Sequence, residues 1–238
     1  DLADPDDLPL PYAQTMTVAV IYPQTVRNIL MLGLGGGSIS TYLARFLPEA
    51  SVTTVEVDPG VIGAAKTYFG LRDSERMRFH AGDGRVFLNR TAETYDLILV
   101  DAYRGGYVPF HLLTREFYSL VKERLAPGGA AVFNVHEGTK LYASTVMTLK
   151  QVFPALDLYP TGIGEVIAVG SAAALSAEMR ERKAAALQAR YGFRFQLPQI
   201  LRRRSDPSAS APGVAIITDD FAPADVYDVL GRQSRRRE

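Results

Sequence analysis

Four places in the chain set chemically capable residues at the end of an apolar run. Ile29-Leu30-Met31-Leu32 breaks into Gly33-Leu34-Gly35-Gly36-Gly37-Ser38 and reopens as an amphipathic segment from Ile39 to Phe46. Gly33, Gly35 and Gly37 allow positive φ and close approach of a ligand, and a helix start supplies unpaired N–H groups with partial positive charge. That chemistry suits a nucleotide or nucleoside. Glu56 ends the second run, 23 residues past Gly33, where a carboxylate can accept two hydrogen bonds from ribose hydroxyls. A nicotinamide dehydrogenase has the same feature. Asp83 follows the third run between two glycines and suits an acceptor for an adenine amine, and Asp101 follows the fourth. The structural alternative for Asp58 and Asp83 is a helix N-cap.

Positioning these acids requires strands that end on one side of a sheet. Apolar runs at 29–32, 52–57, 77–80, 97–100 and 130–135 alternate with helical stretches near 59–68, 83–90, 114–125 and 139–153. Near-continuous apolar strands alternating with helices predict an α/β, doubly wound, mostly parallel sheet whose ligand sits at the carboxyl ends. Runs 156–159 and 165–170 are separated by only five residues, which predicts a C-terminal antiparallel hairpin at the sheet edge. A helix is expected over 12–20, another from Ser176 as N-cap to about Arg190, and a loop over 201–213. The expected organisation is a lead-in over 1–27, a nucleoside-binding domain over 28–195 and a C-terminal extension over 196–238. The chain opens on Asp1, not Met, as a trimmed piece does, and the lead-in is compatible with the remnant of a β-rich N-terminal segment.

Composition narrows the partners. The chain has 238 residues, 47% hydrophobic and 22% charged, with 26 basic and 26 acidic side chains. Zero net charge argues against nucleic acid or an anionic membrane as partner, since both bind through excess cationic charge. No apolar run reaches spanning length, and the acidic N-terminus lacks a signal-peptide layout, so the expected compartment is the cytoplasm. Without cysteine there is no disulfide, thiolate metal site or cysteine nucleophile. His80, His111 and His136 lie too far apart in sequence to suggest a metal set, and no metal is expected. His111 suits either packing or help to a base near Asp101. Tyr103 and Tyr107 fit an acceptor wall or ordinary loop aromatics alike, and the arginine triplets at 202–204 and 235–237 read as solvated surface.

Leu125-Ala126-Pro127-Gly128-Gly129 before the fifth strand, with the terminal hairpin, is typical of class I S-adenosylmethionine-dependent enzymes. Across about 28–153, Gly33-Leu34-Gly35-Gly36-Gly37, Val55-Glu56-Val57-Asp58-Pro59-Gly60-Val61-Ile62, Gly82-Asp83-Gly84-Arg85 and Tyr95-Asp96-Leu97-Ile98-Leu99-Val100-Asp101 resemble the spermidine synthase family of aminopropyltransferases. Tyr12-Ala13-Gln14-Thr15-Met16 and Thr218-Asp219-Asp220-Phe221-Ala222-Pro223 resemble segments of the same family and its bacterial relatives. The resemblance implies a Rossmann-like transferase, working as a homodimer. It assigns Gly33, Gly35, Gly37, Glu56 and Asp83 to the donor, decarboxylated S-adenosylmethionine or S-adenosylmethionine. Asp101 becomes the acid that holds and deprotonates the attacking amine, and Tyr12, Gln14, Tyr103 and Arg104 line the pocket of a putrescine-like acceptor.

Two positions depart from the family pattern. Gly36 stands where the family usually carries an Asp for the donor ammonium, and Asp101-Ala102-Tyr103-Arg104 replaces its D-x-x-D pair, so a cation stands where a second amine-binding acid is expected. Both changes suit a group bearing negative charge, such as the carboxylate of intact S-adenosylmethionine. Methyl transfer is therefore the alternative to aminopropyl transfer, and a nucleoside-binding module without turnover is the third reading.

Overall fold

The computed structural model describes residues 4, 7–105, 107–207 and 214–221. Strands β1 (Asn28–Leu32), β2 (Ser51–Glu56), β3 (Met77–Ala81), β4 (Tyr95–Val100) and β5 (Leu125–His136) run parallel, and β6 (Ala155–Pro160) and β7 (Glu165–Ser171) complete the sheet. The order is β3-β2-β1-β4-β5-β7-β6, with β7 antiparallel to both neighbours. This is the expected doubly wound sheet with its hairpin. The order reverses between β1 and β4, so a cleft opens beyond the carboxyl ends there.

Side chains alternate along each strand and build two cores. Ile29, Met31, Leu97, Leu99 and Val132 point to one face, while Leu30, Leu32, Ile98, Val100 and Phe133 point to the other. The first face is covered by α2 (Ser38–Phe46), α7 (Ala177–Tyr191), α8 (Leu197–Leu201) and the lead-in from Leu8 to Tyr22. The second lies under α4 (Gly84–Arg90), α5 (Arg115–Glu123) and α6 (Tyr142–Val152). Helix α3 (Pro59–Tyr68) closes a smaller cluster of Leu34, Ala65 and Leu71. Among the described residues no helix is long and apolar enough to cross a membrane.

Three local expectations change. The lead-in helix α1 spans only Pro11–Met16 and tightens into a 3₁₀ turn over Thr17–Ile21. Thr15 and Thr17 donate back to the carbonyls of Pro11 and Gln14, each at 2.7 Å, and the β-branched Val18, Val20 and Ile21 disfavour further α-helix. Strand β5 begins at Leu125, earlier than the apolar run. A Cβ at Gly129 would meet the carbonyl oxygens of Ala126, Asp96 and Tyr95 within 3.0 Å, so glycine is needed where the β4–β5 register shifts.

The third change lies in the expected loop over 201–213. Leu201 ends α8, Ser205 pairs with Leu158 beside β6, and residues 208–213 lie outside the described residues. Arg202 and Arg203 are exposed as expected, but Arg204 bonds the buried Asp157 at 2.7 Å and pairs with Asp206. Asp157 also accepts from the hydroxyl of Tyr22 at 2.6 Å, so this arginine satisfies a carboxylate that burial would otherwise penalise. The triplet 235–237 lies outside the described residues.

Candidate active site

The cleft at the carboxyl ends of β1 to β5 has a volume of about 830 Å³. Its floor depends on Gly33, whose φ is +97° and where a Cβ would stand 2.2 Å from the carbonyl oxygen of Asp101. Only glycine lets the turn after β1 pass that close to the end of β4. Gly35, at φ +53°, also borders the cleft, and Gly37, at φ +78°, starts α2 from a left-handed N-cap.

Acids at the end of β2 and just beyond β3 complete this side. The Glu56 carboxylate accepts from the N–H of Leu34 at 2.9 Å and of Asp58 at 3.0 Å, which orients it and leaves about half its lone pairs for a ligand. Asp83 caps α4 through the N–H of Val86 at 2.9 Å while it borders the cleft, so its two sequence readings coexist. Its other oxygen lies 2.7 Å from His111 Nε2. Burial pushes this carboxyl up, but the Val86 N–H and His111 outweigh it and hold the pKa below the ordinary value. His111 thus stands at Asp83 rather than at Asp101. Arg85, next along α4, pairs bidentately with Asp219 and donates to the His111 carbonyl at 3.0 Å, which ties the C-terminal segment to this wall. Ala222 and Pro223 of that motif lie outside the described residues.

The other side gathers around Asp101. Its Oδ1 accepts from Asn134 Nδ2 at 2.9 Å, and the Tyr12 hydroxyl bonds the same carboxyl. Burial dominates and raises the Asp101 pKa, Asn134 and Tyr12 pull it down, and the Glu165 carboxylate pushes it up again, for a net rise. Burial and the charge of Asp101 push Tyr12 up to about 12, so it stays a donor at neutral pH. The Tyr103 hydroxyl donates to the Asn134 carbonyl at 3.0 Å, and its ring meets His136 edge-on with centroids 5.5 Å apart. Tyr103 and Tyr107 also line an apolar annex of about 140 Å³ that opens between Val100, Phe133 and Leu141.

Arg104 is exposed at the rim, where its backbone N–H bonds the Tyr107 carbonyl at 2.8 Å. Gln14 is not part of the cleft lining, and its amide donates to the Leu8 carbonyl at 2.7 Å, which fixes the lead-in. Gly36 borders the cleft with no acid, and a Cβ there would meet only the Phe69 ring, at 3.5 Å. Among the described residues no three His, Asp or Glu side chains converge as a metal site.

Sequence reasoning missed Asn134, Glu165 and the His111–Asp83 contact. Asn134 carried a signal, a lone amide in the apolar run Ala-Ala-Val-Phe-Asn-Val; the other two depend on elements distant in sequence. Asn134 Oδ1 is buried without a hydrogen-bond partner among the described residues, an orphan acceptor beside Asp101.

The Spermine/spermidine synthase domain family matches residues 12–172. A polyamine aminopropyltransferase from Vibrio vulnificus (strain CMCP6) is 31% identical over 235 residues, covering 94% of this chain and 78% of that protein. The eEF1A lysine and N-terminal methyltransferase of Bos taurus is 32% identical over 145 residues, 56% of this chain and 21% of that protein. Two solved structures share the fold. A probable spermidine synthase from Corynebacterium glutamicum superposes with a TM-score of 0.74 at 21% identity, over 92% of this chain and 84% of that one. Human Methyltransferase-like protein 13 in complex with SAH superposes with a TM-score of 0.70 at 23% identity, over 86% and 96%.

Proposed function

Because this chain belongs to the spermine/spermidine synthase family, a family of transferases, we propose that it moves an aminopropyl group from decarboxylated S-adenosylmethionine to a putrescine-like amine. The observation that carries this reading is the recessed Asp101, held by Tyr12 and Asn134 at the closest approach of the glycine turn to β4. An ammonium has no lone pair, so it must lose a proton before it can attack carbon. In this reading Asp101 accepts that proton, the freed amine forms a C–N bond to the carbon beside the sulfonium, and the C–S bond breaks to release methylthioadenosine. Burial raises the pKa of Asp101, which makes it a better base than an exposed carboxylate.

The donor side fits an adenosyl group. Glu56 retains lone pairs for the ribose hydroxyls, Asp83 borders the cleft as an acceptor for the adenine amine, and Gly33 and Gly35 leave room for the nucleoside, whereas Gly37 is not part of the cleft lining and packs against Leu71 and Leu34 at the start of α2. Tyr12 and Tyr103 wall the acceptor, with Gln14 acting through the lead-in. A cytoplasmic homodimer belongs to the same reading, and a monomer in sedimentation at micromolar concentration removes its second half.

Methyl transfer is a second reading with its own support. Gly36 offers nothing to a donor ammonium, and Arg104 at the rim can pair with the carboxylate of intact S-adenosylmethionine. The test is mass spectrometry of products from each donor in turn, with putrescine, spermidine and a cell lysate as acceptors. An added aminopropyl group supports the first reading, and an added methyl group replaces it with the second. Tight methylthioadenosine binding without any product leaves only the nucleoside-binding module.

A further inference from the structure

The acceptor side lacks the family's second acid, because Arg104 occupies its place in the sequence. A carboxylate reaches the same cleft from another element. Glu165 opens β7, borders the cleft with Asp101, Tyr12 and Tyr103, and sits opposite His136 in the antiparallel β5–β7 pair. Val100 pairs with Phe133 across β4 and β5, and Asn134 pairs with Ile167 across β5 and β7. Asp101 follows Val100 and so falls level with Asn134 and Ile167, two residues along β7 from Glu165; two strand spacings across and two residues along put the two backbones roughly 12 Å apart, and both residues line the cleft.

Among the described residues no cationic side chain forms an ion pair with Glu165, whose side chain accepts only from Thr161 Oγ1, at 3.3 Å. That hydroxyl also donates to the Glu165 carbonyl at 2.9 Å, which holds the residue at the hairpin mouth. Its negative charge acts on Asp101, Tyr12 and Tyr103, raising the proton affinity of all three. Two carboxylates facing one cleft without a counter-cation repel each other, and a ligand with a positive group at each end removes that cost. Arg104 opposes this less than its charge suggests, because it is exposed and screened at the rim.

Resting on the amine-acceptor reading above, we propose that Glu165 is the distal cation-binding carboxylate of the acceptor site. The acceptor is then an α,ω-diamine spanning Asp101 and Glu165, with its reacting nitrogen at Asp101 and its remaining ammonium at Glu165. The specificity for a diamine comes from the hairpin and not from the loop after β4.

The experiment compares 1,4-diaminobutane with 4-amino-1-butanol, which has the same length and lacks the second cation. Wild-type enzyme should prefer the diamine in kcat/KM by on the order of 10- to 100-fold, and Glu165→Gln should collapse that ratio towards one. Methylthioadenosine binding to the variant serves as the folding control. A wild-type enzyme indifferent to the second ammonium overturns the proposal without any variant, as does a Glu165→Gln enzyme that keeps the preference. The underlying reading fails separately, if no amine yields an aminopropylated product. Calorimetric titration of both amines into the enzyme–methylthioadenosine complex then decides: tighter diamine binding that Glu165→Gln abolishes supports the proposal, and equal binding of the two amines overturns it.

Discussion

The two sides of the cleft are built on opposite principles. On the glycine-turn side, assigned above to the donor, the acids are fixed by the fold: Glu56 holds two backbone N–H groups and keeps lone pairs free, and Asp83 caps a helix while meeting His111. On the acceptor side Asp101 is held by side chains alone, its proton affinity is raised by burial, and Asn134 keeps an orphan acceptor beside it. A binding surface gains from groups that are fixed and whose charge is stabilised, whereas a base gains from being held short of full stabilisation. The contrast is the stability–activity trade-off within one cleft.

Removing the proposed base should break the contrast most severely. Asp101→Asn should lower turnover by roughly 10²–10⁴ while methylthioadenosine affinity stays within about twofold. The same change should raise the melting temperature at pH 7. Burial lifts the folded-state pKa of Asp101 above its unfolded value of about 4, so the folded chain holds the proton more tightly. Stability contributed by this group is complete below pH ~4 and is lost as pH rises through the folded-state pKa. Asparagine lacks that loss, so the gain should vanish below pH ~4 in thermal scans. Wild-type kcat/KM should correspondingly rise with pH along an acidic limb displaced above the ordinary carboxylate range. A limb at the ordinary value would falsify the role given to burial.

Donor-side changes should act on affinity and not on the chemical step. Glu56→Ala should weaken methylthioadenosine by about 1.5–3 kcal/mol, since it strips ribose acceptors and also frees the N–H groups of Leu34 and Asp58. Calorimetry reads this directly, and unchanged affinity removes Glu56 from the pocket. Gly36→Asp is a smaller, constructive test. The position has room against Phe69, so the new acid should favour decarboxylated donor over S-adenosylmethionine by about tenfold in competition binding. Equal affinities would show that the donor's ammonium lies elsewhere.

The smallest effect is expected where the C-terminal segment meets α4. The Arg85–Asp219 pair is bidentate but Asp219 is substantially exposed, so Asp219→Asn should cost less than about 1 kcal/mol in denaturant unfolding. Because Arg85 also holds the His111 carbonyl, methylthioadenosine affinity should fall no more than a few-fold. A larger loss would make that segment part of the donor wall in its own right.

The placement of the glycine turn and its acids at one cleft was legible in the sequence because its determinants are local. Glycines at 33, 35 and 37 need no partner to reveal a tight turn, and each acid follows its own apolar strand, so alternation alone aligns Glu56, Asp83 and Asp101 on one sheet edge. The hairpin was equally readable from a connection too short for a crossover. Sequence could not say that Asp83 would serve as helix cap and cleft wall together, or that Gln14 would turn to Leu8 and His111 to Asp83. It could not place Glu165 near Asp101 either, 64 positions away. Those contacts arise only when β7 inserts between β5 and β6 and the lead-in folds over the sheet, because strand order and side-chain burial are properties of the packed chain and not of any local stretch. Sequence marked the residues proposed to bind a nucleoside; tertiary packing decided that Asp101, the proposed base, is the carboxylate whose burial raises its proton affinity.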